Sequence, residues 1–165
     1  MKKISFLSKL KKEGKLQLIE TSEEVKKSYL EKSESNLISS KILFENNRLE
    51  ESVSLSYYSM YNILMALFFR IGVKSENHTA SIILLNELFE LDNSQIKFAK
   101  KERIDKQYYA DFKITKKDTG DLIKIAEEFN GNILDFISKL NKEKIDLFRK
   151  KFEELFRGGN GKTEC

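Results

Sequence analysis

The stretch from Glu50 to Gly72, EESVSLSYYSMYNILMALFFRIG, constrains the fold more than any other part of the chain. Val53, Tyr57, Met60, Tyr61, Leu64, Phe68 and Ile71 recur at steps of three and four, the repeat of one helix face. Leu55, Ile63 and Leu67 widen the apolar surface beyond a single stripe, so the segment reads as a central helix with neighbours on most sides. Gly72 follows the last apolar position and predicts a left-handed stop. At roughly 1.5 Å per residue the helix is about 35 Å long, enough to cross a bilayer. Tyr57, Tyr58, Asn62 and four serines argue for a buried helix of a water-soluble domain instead.

The flanking sequence supplies partners for it. Thr21-Ser22-Glu23-Glu24 has the form of a capping box, with Thr21 as N-cap and Glu24 as its reciprocal partner. The helix it opens runs to about Glu45, with Val25, Tyr29, Leu37, Leu43 and Phe44 as a partly periodic apolar face. Asn46-Asn47-Arg48 leaves room only for a tight turn, so this helix and the central one form an antiparallel hairpin. Val73 to Asn77 reads as a polar link. Further helices follow over His78 to Leu91, from a Ser94 cap to about Ala110, from a Thr115/Asp118 cap pair to Leu140, and from Lys142 to Arg157. Asn130-Gly131 is a candidate bend in the third of these segments. There is no proline, and no strand-period run or internal repeat. The expectation is an all-α, up-and-down bundle of about five main helices with extra terminal helices.

Within 165 residues the divisions expected are a basic N-terminal extension over 1–20, a bundle over 21–140, an amphipathic helix over 141–157 and a tail over 158–165. The extension lacks the apolar core and cleavage site of a secretory signal and is expected to dock on the bundle or stay disordered. A lone cysteine, Cys165, excludes an internal disulfide and fits a reducing cytoplasm. One histidine, His78, excludes a multi-histidine metal site within the chain, so no metal and no cofactor is expected. Two segments are locally basic. Residues 1–15 carry six lysines against one glutamate, and residues 97–117 carry eight Lys/Arg against three Asp/Glu. The second holds tyrosines as well, the composition of a phosphate- and base-binding surface. A solvated helix face has the same composition. No phosphate-binding glycine loop, zinc-protease motif or CxxC pair is present.

Four elements in order carry a family resemblance: Tyr29-Leu30-Glu31-Lys32-Ser33-Glu34, Tyr57-Tyr58-Ser59-Met60-Tyr61, Lys74 to His78, and Arg103-Ile104-Asp105-Lys106-Gln107-Tyr108. Over about residues 28 to 135 the chain resembles the HEPN domains (higher eukaryotes and prokaryotes nucleotide-binding), in particular a stand-alone subfamily. The resemblance implies a helical bundle of the nucleotidyltransferase substrate-binding-subunit type. It also implies a homodimer, a minimal nucleotidyltransferase as partner in a toxin–antitoxin-like pair, and RNA or a nucleotide as ligand. The active ribonucleases of this family use R-x4-6-H, and this chain departs from it. Five and six residues beyond Arg103 stand Tyr108 and Tyr109, and His78 lies eight residues beyond Arg70, across Gly72. A tyrosine, with an ordinary pKa near 10, is a poor base at neutral pH.

The reading is therefore a nucleotide- or RNA-binding subunit without membrane attachment. Lys100, Arg103, Tyr108, Tyr109 and Asp111 are the binding candidates; His78, Arg103 and Tyr108 are the catalytic candidates should it be a metal-independent endoribonuclease toxin. A non-catalytic protein-interaction module is the third alternative. Tyr57 and Tyr58 either line a nucleotide cleft or belong to the core. His78, at a helix start, is expected to be exposed and disfavoured as a cation by the helix dipole.

Overall fold

The structure is a computed structural model that describes residues 2–108 and 113–157, with residues 105–108 described by their backbone alone. Its elements are α1 (Lys2–Lys12), β1 (Leu16–Leu18), α2 (Glu23–Glu45), α3 (Leu49–Ile71), β2 (Val73–Ser75), α4 (His78–Glu87), α5 (Ser94–Tyr108), α6 (Lys116–Ser138) and α7 (Lys142–Glu154). Among the described residues the protein is all-α apart from one small two-stranded ribbon.

Helix α3 is the axis of the bundle, as its periodicity predicts. Every residue of the stripe from Val53 to Ile71 is buried, and Tyr57, Met60, Leu64, Phe68 and Ile71 are wholly so. It packs against α2, α5, α6 and α7. Gly72 ends it with φ 77°, a left-handed conformation open to glycine at little cost. A β-carbon there would also collide with Arg149 of α7 and with the carbonyl of Ile19.

The α2–α3 hairpin forms where expected, but not on the residues expected. Val25, Tyr29, Leu37, Leu43 and Phe44 are only partly buried, and the fully buried positions of α2 are Ser33 and Ser40. Facing them on α3 are Ser52, Ser56 and Ser59, all buried. Small side chains let the two backbones approach, and each hydroxyl finds a carbonyl of the opposite helix or of its own. Ser33 Oγ donates to Ser59 O at 2.8 Å, and Ser59 Oγ donates back to Ser33 O at 2.7 Å. Asn130 of α6 joins them, its Nδ2 donating to Ser59 Oγ at 2.8 Å. Helix α6 runs through Asn130 and Gly131, the candidate bend, to Ser138, with the Asn130 amide turned inward.

The capping of α2 is displaced by one residue from the expectation. Ser22, in extended conformation, is the N-cap and accepts from Val25 N at 3.2 Å. Thr115 caps α6 as predicted, accepting from Asp118 N at 3.0 Å. Ser94 is not a cap but the first residue of α5, its amide donating to Asp92 Oδ1 at 3.1 Å. Helix α4 stops at Glu87 rather than Leu91, and Glu90 adopts φ 59° in the turn that follows.

The ribbon is the element the sequence concealed. The segment read as a polar link contains β2, which pairs antiparallel with β1 in the register Leu16↔Ser75, Gln17↔Lys74 and Leu18↔Val73. Three-residue strands are too short to show alternation. Leu16 and Val73 are fully buried, so the ribbon is anchored from below. On its N-terminal side α1 is folded and docked, with Leu7 and Leu10 in the common core. On its C-terminal side β2 leads within three residues into α4, and so sets where the first turn of α4 lies. Arg149 closes the same corner. Its Nη1 donates to Ile19 O, Ile71 O and Gly72 O at 2.8, 2.9 and 3.1 Å.

Candidate nucleotide-binding site

Three elements meet beside the middle of α3: the aromatic face of α3 itself, the first turn of α4 and one face of α5. From α3 come Tyr57, Tyr58 and Tyr61, one helical turn of consecutive and i,i+4 positions. Tyr57 is fully buried, Tyr61 nearly so, and Tyr58 lies half-buried at the edge of the stripe.

His78 is the first residue of α4. Asn77 caps the helix, its Oδ1 accepting from Ala80 N at 3.0 Å. The amides of His78 and Thr79 belong to the same first turn, whose N–H groups have no acceptor within the helix. The imidazole lies flat on Tyr61, with ring centroids 3.7 Å apart and planes within 14°. Tyr58 meets it edge-on. Its Nδ1 is 2.8 Å from Tyr57 Oη. The ring is half-buried rather than exposed as expected. Burial is the main cause that holds its pKa below the ordinary value, and the nearby positive charges of Lys100 and Arg103 add to it. At neutral pH the ring is uncharged.

Lys100 and Arg103 stand one turn apart on α5. Lys100 Nζ donates to Thr79 Oγ1 at 2.6 Å, tying α5 to the start of α4. Burial, and secondarily the Arg103 charge, holds the Lys100 ammonium below the usual lysine range. The Arg103 guanidinium carbon lies 4.8 Å from the centre of the Tyr58 ring and 5.6 Å from that of Tyr57, within cation–π range of both. Its Nε is buried without a hydrogen-bond partner among the described residues. An unmatched N–H on a cation is a group able to donate to an anionic oxygen. Burial pushes the Tyr57 phenol well above its ordinary pKa and raises that of Tyr61 as well, so both stay protonated.

The fold therefore brings together His78, Lys100 and Arg103 among the sequence-derived candidates. The side chain of Tyr108 lies outside the described residues, as do Tyr109 and Asp111. Of Tyr57 and Tyr58, the first is both core and site, since its ring is buried and its hydroxyl meets His78. Sequence reasoning gives Tyr61 a place in the core stripe but none in the site, and passes over Thr79. The i,i+4 spacing of Tyr57 and Tyr61 is a signal for the first; nothing local marks Thr79, whose partner is 21 residues away.

Two surface clefts elsewhere have different chemistry. One of about 530 Å³ between α2 and α6 is lined by Lys41, Phe44, Lys116 and Lys124 among others, and one of about 560 Å³ lies beside Arg70 and Arg149. Neither carries a histidine or a tyrosine. Among the described residues no group of three or more His, Cys, Asp or Glu could hold a metal ion, and no helix is long and apolar enough to cross a membrane.

Comparison with curated proteins finds no match. The model of the HEPN domain matches residues 26–133, a span that holds most of α2, all of α3, β2, α4 and α5, and most of α6, and with them every residue of the Tyr57–His78–Arg103 cluster. The chain belongs to the HEPN domain family.

Proposed function

We propose that this HEPN protein is a nucleotide- or RNA-binding subunit, with a phosphate held at Arg103 and Lys100 and a base resting against the tyrosine–histidine cluster. The observation that carries this reading is the buried Nε of Arg103, without a hydrogen-bond partner among the described residues, on a guanidinium set over the Tyr58 ring. A cationic fork over aromatic rings suits a ligand with charge at one end and a π-face at the other. The first turn of α4 adds amides of the polarity that favours anions. Stacking of one base contributes roughly 1–3 kcal/mol, and the phosphate part weakens with salt.

The partners in this reading are a second copy of the chain and a minimal nucleotidyltransferase, in a toxin–antitoxin-like pair. Exposed Ile38 and Ile42, one turn apart on α2, support an interface. Light scattering at micromolar concentration is expected to give a dimer mass.

A second reading, a metal-independent endoribonuclease, has one observation in its favour. His78 and Arg103 are far apart in sequence, yet both contact Tyr58. A histidine near a phosphate-binding arginine is the minimum for acid–base assistance to cleavage.

Fluorescence anisotropy with labelled oligouridylate and with a labelled adenosine nucleotide, at low and at moderate salt, tests both. The binding reading expects salt-sensitive saturation that Arg103→Ala weakens. Wild-type protein that binds neither probe at low salt would overturn it. RNA cleavage in the presence of a chelator, abolished by His78→Ala, would replace it with the nuclease.

A further inference from the structure

We infer that Tyr57 is a positioning residue that fixes His78 in the tautomer protonated at Nε2, so that His78 serves the site as a neutral hydrogen-bond donor and not as a base. The ligand half of this inference rests on the binding reading above; the tautomer does not.

Tyr57 Oη and His78 Nδ1 lie 2.8 Å apart. Tyr57 is wholly buried, so its phenolic hydrogen has no water to turn to. Among the described residues, its hydrogen-bond partner is His78 Nδ1. Three states of the ring are to be weighed. With the proton on Nε2, Nδ1 offers a lone pair and the phenol donates to it, which satisfies both groups. With the proton on Nδ1, the imidazole donates to the phenol oxygen and the phenolic hydrogen is left buried without an acceptor. The imidazolium has the same defect and also meets the charges of Lys100 and Arg103. A buried donor left unmet costs more than a made bond contributes, so the first state prevails.

The aromatic packing reinforces it. Tyr61 lies flat against one face of the imidazole and Tyr58 stands edge-on to it, so the ring cannot flip to exchange its two nitrogens without displacing them. With Nδ1 occupied and Nε2 carrying hydrogen, the ring has no free lone pair in the plane. A general base would first have to break the Tyr57 bond. A donor, by contrast, is ready for an acceptor such as a phosphoryl oxygen or a base carbonyl, beside the cations of α5. Tyr57 thereby sets the difference between a binding histidine and a catalytic one.

A chain with a single histidine makes the test clean. Protein labelled with 15N-histidine shows both ring nitrogens of His78 alone in a long-range proton–nitrogen correlation spectrum. At neutral pH the wild type is expected to show a protonated Nε2 and an unprotonated, hydrogen-bonded Nδ1. Tyr57→Phe, with its fold checked by circular dichroism, is expected to lose that pattern to a tautomer mixture. A protonated Nδ1 in the wild type, or an unchanged pattern in folded Tyr57→Phe, overturns the tautomer. The wild-type spectrum needs no variant, so destabilisation of Tyr57→Phe does not remove the test. In the binding arm, oligouridylate affinity is expected to fall roughly three- to tenfold in His78→Phe, the worth of one hydrogen bond. His78→Gln, which keeps an N–H donor, is expected to recover most of it. Equal loss in both variants overturns the donor role. A wild type that binds no oligouridylate overturns the binding reading and the donor role together, and is told apart from a failed tautomer by the spectrum.

Discussion

Ser40 and Ser52 exchange hydrogen bonds across the α2–α3 seam: Ser40 Oγ donates to Ser52 O at 3.0 Å and Ser52 Oγ to Ser40 O at 2.8 Å. Both residues are fully buried. The seam is therefore close and polar, and it has no room for a larger side chain. Ser40→Leu is expected to force the helices apart and cost about 1–3 kcal/mol or more, against about 1 kcal/mol for Ser40→Ala, which loses a hydroxyl without adding bulk. Urea midpoints of the two variants check the order. A leucine variant as stable as the alanine one would show the seam to be looser than this.

Tyr61 and Tyr58 differ in burial although they are neighbours on α3. Tyr61→Ala is expected to cost about 3–5 kcal/mol, because it empties space under His78 in the packed interior. Tyr58→Ala is expected to cost less, since its ring is partly in solvent, yet to weaken nucleotide binding through the lost Arg103 contact. Equal melting losses would contradict the assigned faces.

Gly72 and Gly131 predict opposite responses to alanine. At Gly72, φ is 77° and a β-carbon meets Arg149 and the Ile19 carbonyl, so Gly72→Ala is expected to destabilise by more than about 1 kcal/mol. At Gly131, inside α6, the same β-carbon meets nothing within 4 Å. Gly131→Ala is expected to stabilise by about 0.4–1 kcal/mol. Thermal melts of the pair measure both.

The pKa of His78 is depressed on folding, with burial first and then Lys100 and Arg103 as causes. The unfolded chain thus binds a proton near pH 6.5, where the folded one does not. Stability is expected to be undiminished by this residue above that pH and to fall as pH drops from about 6.5 through the lower folded pKa. Tyr57 and Tyr61, which face the ring from α3, have raised pKa values and stay protonated across this window, so the change belongs to the imidazole. His78→Gln should flatten this part of the profile between pH 7.5 and 5.5. A variant with the wild-type slope would assign the effect to the carboxylates.

The sequence by itself determined the axis of the molecule. A stripe at steps of three and four, with apolar flanks and a terminal glycine, can be satisfied only by a helix with neighbours around it, and α3 ends at Gly72 as that pattern requires. It also determined the hairpin, because the three residues Asn46, Asn47 and Arg48 leave no other geometry. Local chemistry reaches no further than local spacing. The ribbon of β1 and β2 joins residues some 55 apart through backbone groups, which every residue carries alike, so no side-chain pattern announces it. The serine seam was invisible for a related reason: small polar residues bury themselves only when an opposite backbone comes near enough to accept their hydroxyls. The site divides in the same way. His78, Lys100 and Arg103 could be named from their chemistry, but the tertiary structure alone decided that Tyr57 meets the imidazole, that Tyr61 lies beneath it and that Thr79 receives the Lys100 ammonium. The physical reason is that protonation and hydrogen-bonding roles depend on what else is buried beside a group, and that is a property of the packed fold, not of the order of residues along the chain.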